Sequence, residues 1–281
     1  MDRLNLKTPA KINLFLHVIG RRGDGHHNIL TIFQKIGLWD RILLSLSKGA
    51  REINLICPDS DLPAGEDNLA FKAAKSFLDR TGIECVINIK LEKSIPVGAG
   101  LGGGSSDAAA VLKGLNILHN RILCHNELHD IACRLGADVP FFISGSNTAV
   151  GRETGTNLEA IDTPCHHYVL VWPGFSISTK WVYERFELTS KLHDTIFDAS
   201  QFLNTRLWIN DLERAVIPQY PQIGDIKNRL MALGAETALM SGSGSTVFGV
   251  FSSRHKAENA ETGLGLNGVQ RAYLVEGLKN I

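Results

Sequence analysis

The sequence predicts an α+β fold, because strand-like and helix-like segments are mixed along the chain without regular βαβ alternation. Strands are predicted where apolar runs or clean period-two alternation occur, over residues 11–19, 42–46, 53–56, 86–93 and 246–251. Helices are predicted where apolar residues recur at helical spacing, over residues 68–80, 108–118 and 127–135. Gly82 and Gly136 follow two of these helices and are typical of helix ends.

The chain begins a second series of strand, loop and helices near residue 155. A polar, glycine-containing turn is expected over residues 20–27, and short strands are expected after residues 145–147. Composition and length then favour two domains, an N-terminal one over residues 1–155 and a C-terminal one over residues 156–281.

Bulk composition excludes several classes of partner. Lys and Arg together number 29, as do Asp and Glu, so no net charge draws the chain to nucleic acid or to an anionic membrane. The five cysteines form no CxxC pair, which favours reduced thiols and a cytoplasmic location. The N-terminal apolar stretch is too short and too interrupted for a signal peptide or a membrane span.

The most informative segment is the glycine loop, which we define as residues 96–106. It reads Pro96-Val97-Gly98-Ala99-Gly100-Leu101-Gly102-Gly103-Gly104-Ser105-Ser106. Glycine permits positive φ angles and close backbone approach, and an N–H-rich loop before a helix start favours an anion. The hydroxyls of Ser105 and Ser106 can donate to phosphate oxygens or bind Mg²⁺, and Asp107 is expected to be stabilised by the helix dipole.

Three other interpretations of the glycine loop are weaker. A Walker-type loop needs a lysine before its final hydroxyl residue, and this loop has none. The spacing Gly98-x-Gly100-x-x-Gly103 formally matches a Rossmann fingerprint, but Pro96 intervenes after the strand and no acidic residue follows at the expected distance. A flexible linker is rarely followed at once by so clean a helix start.

Four further motifs accompany the loop: Pro9-Ala10-Lys11-Ile12-Asn13-Leu14, Gly23-Asp24-Gly25-His26-His27, Gly136-Ala137-Asp138-Val139-Pro140-Phe141-Phe142 and Ser241-Gly242-Ser243-Gly244-Ser245. With them, the glycine loop closely resembles the ATP loop of the GHMP kinases, the family of galacto-, homoserine, mevalonate and related kinases. The resemblance implies a two-domain α+β fold, with a ribosomal protein S5 domain 2-like N-terminal domain and a ferredoxin-like C-terminal domain. It also implies ATP and Mg²⁺, and a site in the cleft between the domains.

The flanking motifs narrow the activity that the resemblance implies. The expected reaction transfers the γ-phosphate of ATP to the 2-hydroxyl of 4-diphosphocytidyl-2-C-methyl-D-erythritol, in non-mevalonate isoprenoid biosynthesis. Two alternatives stay open, another small-molecule kinase of the homoserine or mevalonate type and a non-catalytic ATP-binding protein. The sequence leaves the oligomeric state open between monomer and homodimer.

Asp138 and Lys11 are the candidate catalytic residues. By position, Asp138 is either a helix-terminal cap or a site residue, and Lys11 taken alone could extend to the surface. The resemblance favours catalysis for both: it assigns Asp138 the role of base and places the lysine beside that carboxylate, where its charge would keep the acid ionised.

The resemblance assigns the acceptor to a second set of residues. Asn13 shares a strand face with Lys11 and could hydrogen-bond the substrate, or it is a polar residue at a sheet edge. His26 stands where the family usually has tyrosine, beside a matching His27, and the pair is expected to hold the cytosine. Tyr183 falls at the place of an aromatic ring that stacks on that base.

Three further motifs have a weaker connection to the expected chemistry. The serine loop, which we define as Ser241–Ser245, is expected to turn near the phosphates or the diphosphate. Residues 210–213 are interpreted as structural. His125 and His129 have the i, i+4 spacing of metal ligands, but a surface helix with histidines is the favoured interpretation.

Overall fold

Strands and helices intermix along the chain, which confirms the predicted α+β class. The computed structural model describes residues 3–58, 62–164, 166–188, 204–266 and 270–279. The strands over these residues are β1 Arg3–Arg21, β2 His27–Ser47, β3 Glu52–Ile56, β4 Val86–Glu92, β5 Thr148–Arg152, β6 Asn157–Ala160, β7 His167–Trp172, β8 Thr237–Met240, β9 Val247–Phe251 and β10 Arg271–Glu276. The helices are α1 Leu69–Thr81, α2 Gly103–Leu118, α3 His125–Leu135, α4 Val139–Ile143, α5 Thr179–Arg185, α6 Glu213–Val216, α7 Pro221–Ala232 and α8 Arg254–Gly263.

The chain divides into two compact units, each assembled from several segments. The first holds the described residues within 1–10, 38–95 and 102–146, and the second those within 11–37, 96–101 and 147–281. The units therefore group segments that are distant in sequence. The functional division after residue 155 stays a prediction.

The first unit packs helices α1 to α4 against one another, and α1 also contacts β3. β3 pairs parallel with β4, and β4 pairs antiparallel with the second half of β2. Ile89 lies opposite both Leu44 and Leu55 in this ladder, and all three side chains are buried. Helix α1 begins and ends as the sequence predicts. Asn68 accepts a hydrogen bond from the Ala70 N–H at its start, and Gly82 takes the left-handed conformation at its end, with φ 68°.

The second unit is built on a four-stranded antiparallel sheet in the order β10-β7-β9-β8. Helices α7 and α8 pack against these strands. The first half of β2 also belongs to this unit and pairs antiparallel with β5, which pairs with β6. A continuous apolar core includes Val169, Val171, Leu230, Val247 and Phe251, all almost fully buried. This core holds β8 and β9, which the serine loop connects.

The structure differs from the sequence-based prediction mainly in β2. The strand extends over His27–Ser47, whereas the prediction covered only residues 42–46. Thr31, Gln34 and Asp40 are buried within it, and these polar residues interrupt the apolar pattern that marks a strand. The strand is buried on both faces over much of its length, so period-two alternation is also lost.

Helix bounds differ from the prediction at three places. Helix α2 begins at Gly103 rather than at residue 108, so two glycines occupy its first turn, after Gly102 at φ 67°. Helix α3 begins at His125 rather than at residue 127. The five-residue helix α4 has no predicted counterpart, because it is short and Pro140 stands near its start.

Four cysteines, Cys57, Cys85, Cys124 and Cys133, are free thiols, and Cys165 lies outside the described residues. Over the described ranges, none of the helices combines the length and the hydropathy that crossing a bilayer requires.

Candidate active site

Lys11 is a buried lysine near the middle of β1. Only 3% of it is exposed, so the alternative in which it extends to the surface is wrong. Its Nζ donates to Asn13 Oδ1 at 2.7 Å and lies 5.5 Å from the centre of the Phe33 ring. Burial of an ammonium group costs free energy unless the group is hydrogen-bonded or paired, so a lysine in this position points to a role beyond solubility.

Asn13 is held in one orientation by bonds at both ends of its side-chain amide. While Oδ1 accepts from Lys11, Nδ2 donates to Thr31 Oγ1 at 2.7 Å, and that hydroxyl donates to Phe15 O at 2.7 Å. Only 2% of Asn13 is exposed, so its side chain is not open to solvent. The network fixes the position of the Lys11 ammonium on one face of β1.

The part of the glycine loop in the second unit lies directly against the serine loop. Ser241 Oγ donates to Gly100 O at 2.9 Å, and the Thr246 N–H donates to Ala99 O at 3.1 Å. Gly100 has φ 78°, and a Cβ atom built there would lie 2.1 Å from Ser241 O. Glycine is required at position 100 both by this close approach and by the positive φ.

Lys11 lies at the meeting point of these two loops. Its backbone N–H donates to Leu101 O at 2.9 Å. A Cβ atom built on Gly242 would lie 3.4 Å from Lys11 Nζ, 3.3 Å from Asn13 Oδ1 and 3.4 Å from Gly100 O. The structure thus brings together the lysine, the asparagine and the two glycine-rich loops, which the sequence could only identify separately.

His27 and Tyr183 form an aromatic pair in the second unit. Their ring centroids are 5.0 Å apart at an interplanar angle of 29°. Burial lowers the pKa of His27, and the positive charge of Arg21 lowers it further, which favours the neutral form of the ring. Tyr183 lies on α5, whose start is capped by Ser178 Oγ accepting from the Trp181 N–H. The structure therefore joins two residues that the sequence assigned to one base.

His26 has different surroundings from His27. Its side chain is 72% exposed, and its backbone N–H donates to Asp24 Oδ1 at 3.0 Å. Its predicted contact with a base stays a prediction.

Helix α5 is also connected to the serine loop. Thr179 Oγ1 and Ser243 Oγ are 2.8 Å apart, a hydrogen bond in which either hydroxyl can donate. Ser245 Oγ donates to Phe175 O, in the segment that leads into α5. A Cβ atom on Gly98 would lie 2.8 Å from Ser176 Cβ, so this segment contacts the glycine loop as well.

In the first unit, the glycine loop continues into the first turn of α2. Gly102 stands at the N-cap position and makes no side-chain capping bond, because it has no side chain. The first N–H groups of a helix have no acceptor within the helix, so this turn presents donors to an anion. Ser105 is half-buried there, and Ser106 is buried.

A buried charge cluster lies behind this turn, and the sequence analysis missed it. Lys93 Nζ donates to Asp107 Oδ2 at 2.7 Å and to Asp40, and Asp107 Oδ1 accepts from Thr8 Oγ1 at 2.7 Å. Asp40 also accepts from the Ser94 N–H, at 2.6 Å, just before the glycine loop. No local sequence motif identifies a cluster whose residues are far apart in the chain.

The expected stabilisation of Asp107 by the helix dipole stays a prediction, and the largest influence on its carboxyl group is burial. Burial raises the pKa of Asp107 to about 6, and the nearby negative charge of Asp40 acts in the same direction. Lys93 and Thr8 oppose the shift. The physical reason is that two buried carboxylates share one ammonium group, so the second carboxylate is only partly compensated.

Asp138 stands at the N-cap position of α4, also in the first unit. Its backbone has φ −84° and ψ −17°, and its side chain makes no capping hydrogen bond to the helix. The residue is half-buried and is followed by the buried Val139 and Pro140. The capping interpretation of Asp138 therefore has no hydrogen bond to support it.

The predicted metal-like spacing on α3 gives no metal cluster. Cys133 Sγ lies 3.6 Å from His129 Nδ1, and His125 is exposed. Among the residues that the structure describes, no three His, Cys, Asp or Glu side chains are grouped to hold an ion.

Comparison with known proteins shows which protein family the chain belongs to. The model of the GHMP kinases N terminal domain matches residues 68–146, and that of the GHMP kinases C terminal domain matches residues 197–270. Relatives that are 45% and 46% identical match over 92% and 95% of the chain. The chain belongs to the GHMP kinase family, as the glycine loop and its accompanying motifs predict.

The relatives carry one particular name, 4-diphosphocytidyl-2-C-methyl-D-erythritol kinase. The protein of Syntrophotalea carbinolica is 46% identical over 95% of this chain and 96% of its own. The protein of Geobacter metallireducens is 45% identical over 92% and 93%. A crystal structure titled 4-(cytidine 5'-diphospho)-2C-methyl-D-erythritol kinase superposes with a TM-score of 0.82 at 33% identity, over 99% of this chain and 100% of that one.

A more distant likeness shows the fold alone. The homoserine kinase of Cytophaga hutchinsonii has a TM-score of 0.73 at 18% identity, over 100% of this chain and 96% of its own.

The buried charge cluster predicts a specific pH dependence of stability. Asp107 has an ordinary pKa of 3.8 when unfolded and a pKa of about 6 when folded. The folded state therefore holds this proton more tightly, and the associated stability is lost as the pH rises from about 4 to about 6. We expect Asp107→Asn, which cannot titrate, to lack this loss.

The measurement is the free energy of unfolding from urea titrations at several pH values across that window. Asp225→Asn, at an exposed aspartate, is the control for removal of one carboxylate. If wild type and Asp107→Asn show the same slope against pH, Asp107 does not titrate in this window.

Proposed function

We propose that this protein is an ATP-dependent kinase that phosphorylates the 2-hydroxyl of 4-diphosphocytidyl-2-C-methyl-D-erythritol, in non-mevalonate isoprenoid biosynthesis. Full-length similarity to relatives of that name supports the acceptor. The observation that carries the chemistry is the buried Lys11 ammonium. It is fixed by Asn13, and Gly100 of the glycine loop and Gly242 of the serine loop both lie close to this pair.

Phosphoryl transfer requires an oriented acceptor hydroxyl, removal of its proton and stabilisation of charge on the transferred group. We assign proton removal to the Asp138 carboxylate and electrostatic support to Lys11. A lysine ammonium favours the ionised form of a nearby carboxylate, and it stabilises negative charge that develops on the acceptor oxygen. Asn13 keeps the ammonium in place and is a candidate ligand of the acceptor.

ATP is the co-substrate of the family, and the glycine loop is its proposed binding segment. Backbone N–H groups at the positive-φ glycines and at the start of α2 suit the phosphates. Mg²⁺ is proposed as well. It binds substrate phosphates with few protein ligands, and the hydroxyl oxygens of Ser105 and Ser106 are of the hard type that it prefers. When bound, it would neutralise phosphate charge.

The cytosine is proposed to bind at the aromatic pair of His27 and Tyr183. Stacking of a base on an aromatic ring is tolerant in geometry, while the neutral imidazole of His27 can donate or accept one hydrogen bond. His26 is a proposed secondary contact at the edge of this place. The cytoplasmic location and the choice between monomer and homodimer stay predictions.

Assays with a panel of acceptors test the substrate. We expect purified protein with ATP and Mg²⁺ to form ADP with the cytidyl-diphospho acceptor and not with homoserine or mevalonate. Turnover of mevalonate in its place would contradict the acceptor assignment. Binding of ATP and acceptor without any ADP would support the non-catalytic alternative.

The Asp138→Asn variant distinguishes a role of Asp138 as general base from a role as helix cap. Asparagine caps helices about as well as aspartate, so stability should be nearly unchanged. Loss of the general base should lower kcat by roughly 10²- to 10⁴-fold while the KM for ATP changes little. Steady-state kinetics and thermal melting of the same preparation measure both quantities. Near-normal turnover would exclude Asp138 as the base.

Tyr183→Ala tests the aromatic pair. Base–aromatic stacking is worth about 1–3 kcal/mol, so the acceptor's KM should rise by roughly 5- to 150-fold with little effect on the KM for ATP. Tyr183→Phe keeps the ring and is the matched control. Equal increases in both KM values for the alanine variant would remove Tyr183 from the cytosine site.

A further inference from the structure

Asn210 is a buried asparagine whose side chain bonds, within the described part of the chain, to backbone groups. It is 4% exposed, and its Nδ2 donates to Met240 O at 2.7 Å and to Gly242 O at 2.8 Å. Its Oδ1 accepts from the Leu212 N–H at 3.0 Å. The sequence favours a structural role for residues 210–213, but two of these bonds end on the serine loop and on the residue before it.

The two carbonyl groups that Asn210 binds stand on either side of Ser241. This serine is the residue that contacts the glycine loop, through Oγ to Gly100 O at 2.9 Å. Gly242, which provides the second carbonyl, lies close to Lys11 Nζ and Asn13 Oδ1. One amide group thus holds the stretch of backbone that touches the glycine loop on one side and the buried lysine on the other.

The segment that carries Asn210 is itself attached to β1. The Leu16 N–H donates to Ile209 O at 2.8 Å, and the Asp211 N–H donates to Leu16 O at 2.9 Å. Asp211 Oδ2 accepts from the Val18 N–H at 3.0 Å and lies 2.6 Å from His17 Nδ1. The segment of Asn210 is therefore hydrogen-bonded to the strand that carries Lys11 and Asn13. The Asn210 side chain connects that strand to the serine loop.

We infer that Asn210 is a positioning residue of the phosphoryl-transfer site, which sets the serine loop against Lys11 and the glycine loop. The inference rests on the proposed function for its catalytic consequence. An amide is the side chain that this place requires, because it offers two donors to two carbonyls and one acceptor to an N–H. Aspartate lacks both donors, and serine has a single one.

Asn210→Ser is the principal test. A serine hydroxyl can still accept from the Leu212 N–H as a local turn does, but it cannot reach the loop with two donors. Since small displacements of catalytic groups can cost up to about 10²-fold in rate, we expect kcat to fall by roughly 10- to 100-fold. The KM values for ATP and acceptor should change much less.

Asn116→Ser is the matched control for stability. Asn116 is likewise buried and bonds only to backbone in the same manner, with Nδ2 donating to Leu123 O and Oδ1 accepting from the Leu123 N–H, both at 2.9 Å. It lies near the end of α2, outside the proposed site. Both variants should lower the melting temperature, but only Asn210→Ser should lower kcat. Equal kcat values for the two variants at a temperature where both are folded would overturn the inference.

Hydrogen exchange gives a readout that does not depend on the acceptor. Backbone amides over residues 241–245 should exchange faster in Asn210→Ser than in wild type, and should not change in Asn116→Ser. An unchanged exchange rate overturns the positioning role whatever the substrate is. A wild-type enzyme that does not phosphorylate the acceptor overturns the proposed function instead. Asn210→Asp, which is isosteric and also lacks the donors, carries the same test if the serine variant does not fold.

Discussion

In the second unit, the junction of the glycine loop and the serine loop depends on one steric constraint, the close contact between the backbones at Gly100 and Ser241. A Cβ atom at position 100 would lie 2.1 Å from Ser241 O, a distance that no side chain allows. Because the backbones meet so closely, Ser241 Oγ can bond to Gly100 O, and Gly242 comes near Lys11. Gly100 and Gly242 thus allow the two loops to pack closely around the buried Lys11 ammonium group.

The sequence predicts the separate segments of that junction, but not that they meet. The glycine loop and the serine loop both have local sequence signals, since positive φ angles and tight turns require glycine. The family resemblance identified Lys11 and Asn13, and the structure adds the reason for their burial, a network that ends at Thr31 and Phe15 O. No local signal could have shown that these segments meet, because their separation in sequence exceeds any turn.

The polar residues of β2 and the buried charge cluster show where pattern-based prediction fails. Thr31, Gln34 and Asp40 fall outside the predicted strands, yet each is buried in a strand with a partner on a distant segment. Burial of such groups is tolerated only because these hydrogen bonds replace water, and the partners become visible only after folding. The same argument covers Asp107, whose partners Thr8 and Lys93 lie on other segments of the chain.

Two amide side chains hold parts of the candidate site in place. Lys11 is fixed by the amide of Asn13, and the serine loop is fixed by the amide of Asn210. An amide contributes no charge of its own, so it can orient its neighbours without adding a charge that would compete with the proposed base or the proposed phosphate site. Preorganisation by such groups lowers the reorganisation needed when charge moves, which is the main requirement of phosphoryl transfer. A motif that seems structural in the sequence can for this reason be as important to the rate as a residue that touches the substrate.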